Sequence, residues 1–269
     1  MSADAPPDQL VRSLIGGPSI VTGVEWFWKI TSTNARLKEL AAAGAPEGRL
    51  VVADVQTQGR GRHGRSWHAP AGSSLMWSIL LRPTVPADRM GLLPLVTGLA
   101  VAEAIGPSVP TAEVGVKWPN DVLVAARGTE PRKVAGILVE SVGDGACAVG
   151  IGLNTDWRGI ARPDAVGQRV TSLSEAAGTR VDRWRVLAGL VGVLGNRYDA
   201  WQTWPAGFLA DYRERSLTLG RRVRVTPAGG TALRGRATGI AGDGALEFTD
   251  DGGRAHVLHA GDVEHLRPL

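Results

Sequence analysis

Apolar and polar positions alternate unevenly along the chain, and the elements they predict change character twice. Residues 24–30 (VEWFWKI) read as a strand, and apolar residues then recur at helical spacing over 35–43 (ARLKELAAA). Ser32, Thr33 and Asn34 just before that helix offer capping oxygens, and capping alone is a sufficient structural reason for them. Residues 50–55 (LVVADV) and 75–81 (LMWSILL) are strand-like. A helix is expected from an Asp88 cap to about residue 105, with Pro94 tolerated only if the first turn is irregular or kinked. Residues 114–124 read as two short strands about a tight turn, Pro119 and Asn120 being turn formers flanked by Lys117 and Asp121. Residues 132–142 and 146–154 form a hairpin about Gly143, Asp144 and Gly145, with apolar runs that suit a sheet covered on one face. The longest amphipathic helix runs over 183–204, with Trp184, Leu187, Leu190, Leu194, Tyr198 and Trp201 on its apolar face. From about residue 219 the pattern shifts to short strands at 222–225, 233–240, 245–248 and 256–259, separated by Gly and Asp turns, as in a small barrel. This divides the chain into 1–217, whose first 18 residues are a polar lead-in with room for at most a short helix, and 218–269.

One stretch fits none of these periods. Residues 58–67 (QGRGRHGRSW) hold three arginines and three glycines in ten positions. Glycine lets a backbone approach a ligand closely, and guanidinium groups supply forked, permanent donors for phosphate and carboxylate oxygens. Gly59, Gly61 and Gly64 satisfy G-x-G-x-x-G, and 59–66 has P-loop spacing with Arg65 in place of lysine. Both motifs require a helix to follow, and Pro70 and Gly72 prevent one, so the unit is strand, basic loop, strand. The arginines, rather than a helix dipole, must then hold an anion.

Composition narrows the class. With 269 residues and 43% apolar content the chain suits one large globular domain with an appendage. No run approaches the ~20 apolar residues of a membrane helix, and the N-terminus lacks signal-peptide character, so a cytoplasmic protein is expected. The single Cys147 excludes an internal disulfide and a cysteine metal cluster, and its strand-like setting reads as a small buried thiol. Thirty basic against 26 acidic residues is too balanced to imply nucleic acid by itself.

Read together with 117–121 (KWPND), 133–137 (KVAGI) and 150–154 (GIGLN), the basic loop is the first of four motifs in order, and on these the chain resembles the biotin protein ligases over about residues 26–266. The resemblance implies an α+β fold: a class II synthetase-like catalytic domain with a mixed sheet and flanking helices, plus a small SH3-like β-barrel at the C-terminus. It implies that ATP activates biotin to biotinyl-5′-AMP, releasing pyrophosphate, and that biotin then passes to a lysine of a biotin carboxyl carrier protein or domain of an acyl-CoA carboxylase. By the same resemblance Ser32, Thr33, Asn34, Gln56, Lys133 and Gly136 line the biotin pocket, with Gln58 competing for the place of Gln56. Gly59, Arg60 and Arg62 surround biotin and adenylate, and Arg65 and Trp67 lie toward phosphates and adenine. Lys117, Asn120, Asp121 and Asn154 belong to the nucleotide side, where Asp121 and Asn154 are the residues for Mg2+. Arg60, Arg62 and Lys133 are the residues expected to carry the chemistry.

Two departures stand out: His63 where arginine is common, and an insertion-like loop over 125–131. Too few residues precede Val24 for the helix-turn-helix of some members, so the monofunctional form is expected, a monomer or weak homodimer without nucleic-acid or membrane partners. A lipoate or octanoate protein ligase shares the architecture, but the pairing of 117–121 with the basic loop favours biotin. A non-enzymatic nucleic-acid binder is the alternative from another class, using the loop with Arg221, Arg222, Arg224, Arg234 and Arg236; its affinity would fall steeply with salt.

Overall fold

The structure is a computed structural model, described over residues 5–17, 20–161, 170–227 and 230–266. Residues 1–4 and 18 of the lead-in lie outside the described residues. Within the rest of the lead-in, α1 (Asp8–Gly16) buries Leu14. β1 (Gly23–Ile30) and β2 (Arg49–Gln56) run parallel and are joined by α2 (Thr33–Ala42). Ser32 caps α2 from extended backbone, its side-chain oxygen accepting from the Ala35 amide. The helix therefore begins earlier than its apolar spacing suggests, and Thr33 and Asn34 enter its first turn.

β3 (Ser74–Leu81) returns antiparallel to β2 and is buried along its whole length. α3 (Leu93–Ile105) begins with Pro94 in its first turn, where a missing N–H costs no bond. Asp88 is not its cap, because a 3-10 turn over Ala87–Leu92 precedes the helix and contains that residue. The continuous helical run Ala87–Ser108, of mean hydropathy 1.5, is long and apolar enough to cross a membrane, which the sequence reading did not anticipate. It is the central core helix, with α3 apolar and buried nearly all round.

β4 (Glu113–Lys117) and β5 (Asp121–Ala125) make the short hairpin about the 118–120 turn, placing Lys117 opposite Asp121. β6 (Arg132–Gly143) and β7 (Ala146–Asn154) form the long hairpin. The seven-stranded mixed sheet has the order β1-β2-β3-β7-β6-β5-β4. α4 (Leu173–Ala177) carries a Ser172/Glu175 capping box, α5 (Arg183–Thr203) is capped by Asp182, and α6 (Leu209–Glu214) follows. α3 and α5 cover one sheet face over Leu50, Val52, Trp77 and Ile79, while α2 covers part of the other over Val51 and Leu80. Both faces are therefore engaged, and the part that α2 leaves open becomes the floor of a cleft.

β8 (Arg222–Pro227), β9 (Leu233–Ile240), β10 (Leu246–Asp250), β11 (Ala255–Leu258) and β12 (Gly261–His265) form a second, antiparallel sheet in the order β11-β10-β9-β8-β12, a small barrel-like unit around Val223, Val225, Ala237 and Phe248. β12 was not foreseen, being too short and polar to stand out by pattern. The unit is fastened to the large sheet by specific bonds: the buried Trp118 indole donates to Gly244 O at 2.9 Å, Arg213 Nε donates to Ile240 O at 3.1 Å, and the Val116 and Leu217 amides join the connecting segment to β4. Cys147 is buried on β7, and burial pushes its thiol pKa up, which suits packing rather than nucleophilic work.

Candidate functional site

The open sheet face, the basic loop and the edge of the small barrel enclose a cleft of about 580 Å3. The loop itself is a compact hairpin: Gly61 N–H donates to Arg65 O at 2.7 Å and Trp67 N–H to Gly59 O at 2.8 Å, about a 3-10 turn over Arg62–Gly64. Gly59 is where the backbones press together, since a Cβ there would lie 2.4 Å from Trp67 O. Gly59 therefore shapes the loop and lines its outer side rather than the cleft. The loop's exit is held by buried Asp54, which accepts from the Gly72 amide and pairs with buried Arg183.

At one end of the cleft the side chains are polar and neutral. Thr33 N–H donates to Gln56 Oε1 at 2.8 Å, and the Ser78 hydroxyl bridges Thr33 Oγ1 and Asn34 Oδ1, 2.6 Å from each. Asn34 Nδ2 donates to Glu140 Oε2 at 2.7 Å. Ser32, Thr33, Asn34, Gln56 and Gly136 line this part, while Gln58 is exposed on the loop's outer side, so of the two glutamines Gln56 is the one that faces the cleft. Glycines keep the floor flat. A Cβ at Gly150 would lie 2.4 Å from Asn34 Oδ1, and one at Gly152 would lie 2.3 Å from the Trp67 ring.

The middle of the cleft is charged. Lys133 Nζ sits 2.6 Å from Asp121 Oδ1 and 5.4 Å from the centre of a Trp67 ring, and Lys117 Nζ is 3.7 Å from Asp121 Oδ2. Asn120 donates to Ile137 O at 2.7 Å and accepts from Arg62, which also donates to Gly261 O at 3.2 Å. The three loop arginines thus differ. Arg60 pairs with Glu140 at 3.2 Å and Arg65 with Asp262 of the barrel, whereas Arg62 contacts only neutral oxygens among the described residues. Burial lowers the Arg62 pKa and Arg65 adds to that, against an opposing pull from Asp121. A half-buried guanidinium in that position is suited to an anion. Six cationic side chains line the cleft, Arg224 of the barrel included, against three carboxylates, so an anionic ligand is favoured.

Arg65, Trp67, Lys117, Asp121 and Lys133 also line an adjoining hollow of about 880 Å3, together with Glu130, Arg132, Asn154, Trp157 and His265. Asn154 is 3% exposed, and its amide donates to Thr171 O at 3.0 Å while accepting from Ser74 at 3.4 Å. Asp121 already faces two ammonium groups, and no three His, Cys, Asp or Glu side chains converge as a metal site among the described residues. Asp121 and Asn154 therefore do not fit a resident metal, and no step is assigned to one. The insertion-like loop closes with a turn from Ala126 to Thr129, and its Glu130 reaches Arg221 of the barrel at 3.9 Å.

His265 is an acid-sensitive point in this wall. Burial, with Lys117 and Arg221 nearby, lowers its pKa from 6.5 to about 4, with Asp121 opposing. Between those values the unfolded chain binds the proton that the folded chain refuses, so stability falls as pH drops through this window. A His265→Gln variant is expected to show a shallower loss of thermal midpoint between pH 6.5 and 4 than the parent; equal slopes would remove His265 as the cause.

Arg224 and Asp262 line the cleft, and Ser78 and Glu140 touch residues that do; of the four, sequence reasoning named only Arg224, and that for the nucleic-acid alternative. None lies in a distinctive motif, and each arrives by strand pairing or by docking of the barrel.

Comparison with known proteins gives this geometry its context. Residues 26–156 match the biotin/lipoate A/B protein ligase family and residues 218–266 the biotin protein ligase C terminal domain. The chain is 44% identical to the biotin--[acetyl-CoA-carboxylase] ligase of Mycobacterium tuberculosis, over 94% of this chain and 93% of that one. It is 34% identical to the bifunctional ligase/repressor BirA of Bacillus subtilis over 87% of this chain and 71% of the other. Among solved structures, the biotin protein ligase from Aquifex aeolicus in complex with biotin and ATP superimposes with a TM-score of 0.77 at 29% identity, covering 92% of this chain and 100% of that one. The chain belongs to the biotin protein ligase family.

Proposed function

We propose that the protein joins biotin to a lysine of a carrier protein in two steps, through biotinyl-5′-AMP. The observation that carries this reading is the meeting of the two hollows at Arg65, Trp67, Lys117, Asp121 and Lys133. Biotin occupies the first hollow, its ureido ring answered by the amide and hydroxyl groups of Asn34, Thr33 and Gln56. ATP occupies the second, with magnesium entering as its counter-ion and so as part of the substrate. Lipoate and octanoate lack the ureido group, and a site built to hydrogen-bond that group would leave its own polar atoms unanswered by them.

A biotin carboxylate oxygen attacks the α-phosphorus, and the bond to pyrophosphate breaks with its electron pair going to the leaving group. Both reactants are anions, so cations that gather at the meeting point lower the barrier electrostatically. Lys133 and Lys117 supply that charge at the meeting point and Arg62 from the first hollow, and Asp121 holds the two ammonium groups in register between reactants. In the second step the neutral ε-amine of the acceptor lysine attacks the acyl carbon, and AMP departs. The acceptor is a biotin carboxyl carrier domain, consistent with the acetyl-CoA-carboxylase named for the mycobacterial relative.

Incubation with biotin and ATP-magnesium is expected to release pyrophosphate and yield biotinyl-AMP by mass spectrometry, and adding a carrier domain is expected to modify one lysine. Turnover of lipoate in place of biotin would replace this reading. The two floor glycines both line the first hollow but press on different neighbours, of which only Trp67 also lines the second. Gly150→Ala pushes on Asn34 and is expected to raise KM for biotin more than for ATP, whereas Gly152→Ala pushes on Trp67 and is expected to raise KM for ATP more. Equal effects of both variants on both constants would contradict the assignment of the two hollows.

A further inference from the structure

Glu140 lies on β6 and does not line the cleft, yet it touches two residues that do. Its two oxygens are divided between them: Oε2 accepts from Asn34 Nδ2 at 2.7 Å, and Oε1 faces Arg60 Nη1 at 3.2 Å. One carboxylate thus joins α2, which carries Asn34, to the basic loop, which carries Arg60. We propose that Glu140 is a positioning residue that couples loop closure to recognition of the biotin ring, a proposal that rests on the biotin reading of the cleft.

The Asn34 amide has little other freedom. Its Oδ1 is 2.6 Å from the Ser78 hydroxyl, its Nδ2 also approaches Leu138 O at 3.3 Å, and Gly150 lies directly beneath it. An acceptor-only carboxylate at Glu140 fixes the donor face of the amide on that side and leaves the oxygen on the other. The same negative charge holds Arg60 against the sheet. On the opposite flank Arg65 is held by Asp262 of the barrel, so the loop is pinned on both sides and Arg62 between them is left for the ligand. The Arg60–Glu140 pair is partly solvated, with side chains 48% and 30% exposed, and pairs of that kind are weak. A weak latch suits a loop that must open in each cycle.

Glu140→Gln keeps the size and an oxygen acceptor while removing the charge that holds Arg60. With wild-type enzyme forming biotinyl-AMP, the variant is expected to release it about 2- to 5-fold faster, the range of a single partly exposed charge contact, and to raise KM for biotin by a similar factor. Its kcat for adenylation at saturating substrates is expected to stay within about two-fold, because the charges at Lys133 and Asp121 are untouched. A merely structural role would instead move the thermal midpoint and leave the release rate alone. Combined with Arg60→Gln, Glu140→Gln is expected to add nothing to the release rate of the Arg60 variant. Wild-type release and KM in Glu140→Gln, or effects of the two substitutions that simply multiply, would overturn the coupling. Amide exchange over residues 59–67 tests the latch without any ligand: it is expected to quicken in Glu140→Gln, and unchanged exchange overturns the proposal. Failure of the biotin reading would show differently, as a wild type that makes no biotinyl-AMP while the exchange effect persists.

Discussion

Replacement of Lys133 by alanine is expected to slow formation of biotinyl-AMP by about 10- to 150-fold, the equivalent of losing one charge-assisted contact of about 1.5 to 3 kcal/mol, and by more where the contact is made only in the transition state. The structure gives a reason for the upper end. Lys133 Nζ neutralises Asp121 at 2.6 Å, and its loss leaves that carboxylate facing incoming anions with Lys117 as its partner at 3.7 Å. The variant thus removes an attraction and exposes a repulsion at the same point. Folding is not at stake, because the backbone of Lys133 is held from both sides: its carbonyl accepts from Thr171 N–H at 2.8 Å, and β6 pairs with β5 and β7. Rapid-quench measurement of pyrophosphate release at saturating biotin and ATP reads the effect, and a wild-type burst rate would remove Lys133 from the site.

Local chemistry made part of this site legible before any coordinates. The turn formers Pro119 and Asn120 between two apolar runs imply a hairpin, and a hairpin of that length sets Lys117 opposite Asp121, as the strand register has it. The basic loop could be read because arginine and glycine in that density have few other uses, and Pro70 with Gly72 ruled out a helix after it. Less could be read where meaning depends on what lies across the fold. Glu140 occupies an ordinary strand position by pattern, and its carboxylate matters only because α2 and the loop both reach it. Ser78 is a lone hydroxyl in an apolar strand, and its role depends on α2 lying across β3. Asp262 and Arg224 enter through docking of the barrel, fixed by the buried Trp118 indole and other distant contacts that no periodicity announces. The resemblance set Arg60 and Arg62 apart from Arg65, but it did not give the division of labour in which, among the described residues, Arg60 and Arg65 are paired and Arg62 is not. That division follows from which of them has a carboxylate to face.

Arg62 is the loop residue whose removal is expected to separate making the intermediate from keeping it. Arg60 and Arg65 spend their charge on Glu140 and Asp262, whereas Arg62 bonds only Asn120 Oδ1 and Gly261 O among the described residues. Those two neutral acceptors lie on the 118–120 turn and on the barrel, and both are met by the same Nη1, so its guanidinium sits at the wall of the cleft beside the place proposed for a finished adenylate. Burial of that group is costly without an anion, as its lowered pKa records, and an adenylate phosphate or acyl oxygen would repay the cost. Arg62→Gly deletes the forked donor and loosens the loop at once. Loss of one such contact corresponds to about 10- to 150-fold faster escape of biotinyl-AMP, with weaker binding of biotin as well. The released anhydride would then acylate lysines at random, so a bystander protein that the wild type ignores is expected to become biotinylated in the mutant reaction. The dissociation rate of preformed biotinyl-AMP is the deciding measurement. If the mutant holds the intermediate as long as the wild type, the clamp is elsewhere on the loop, and Arg60 or Arg65 must leave its carboxylate to serve.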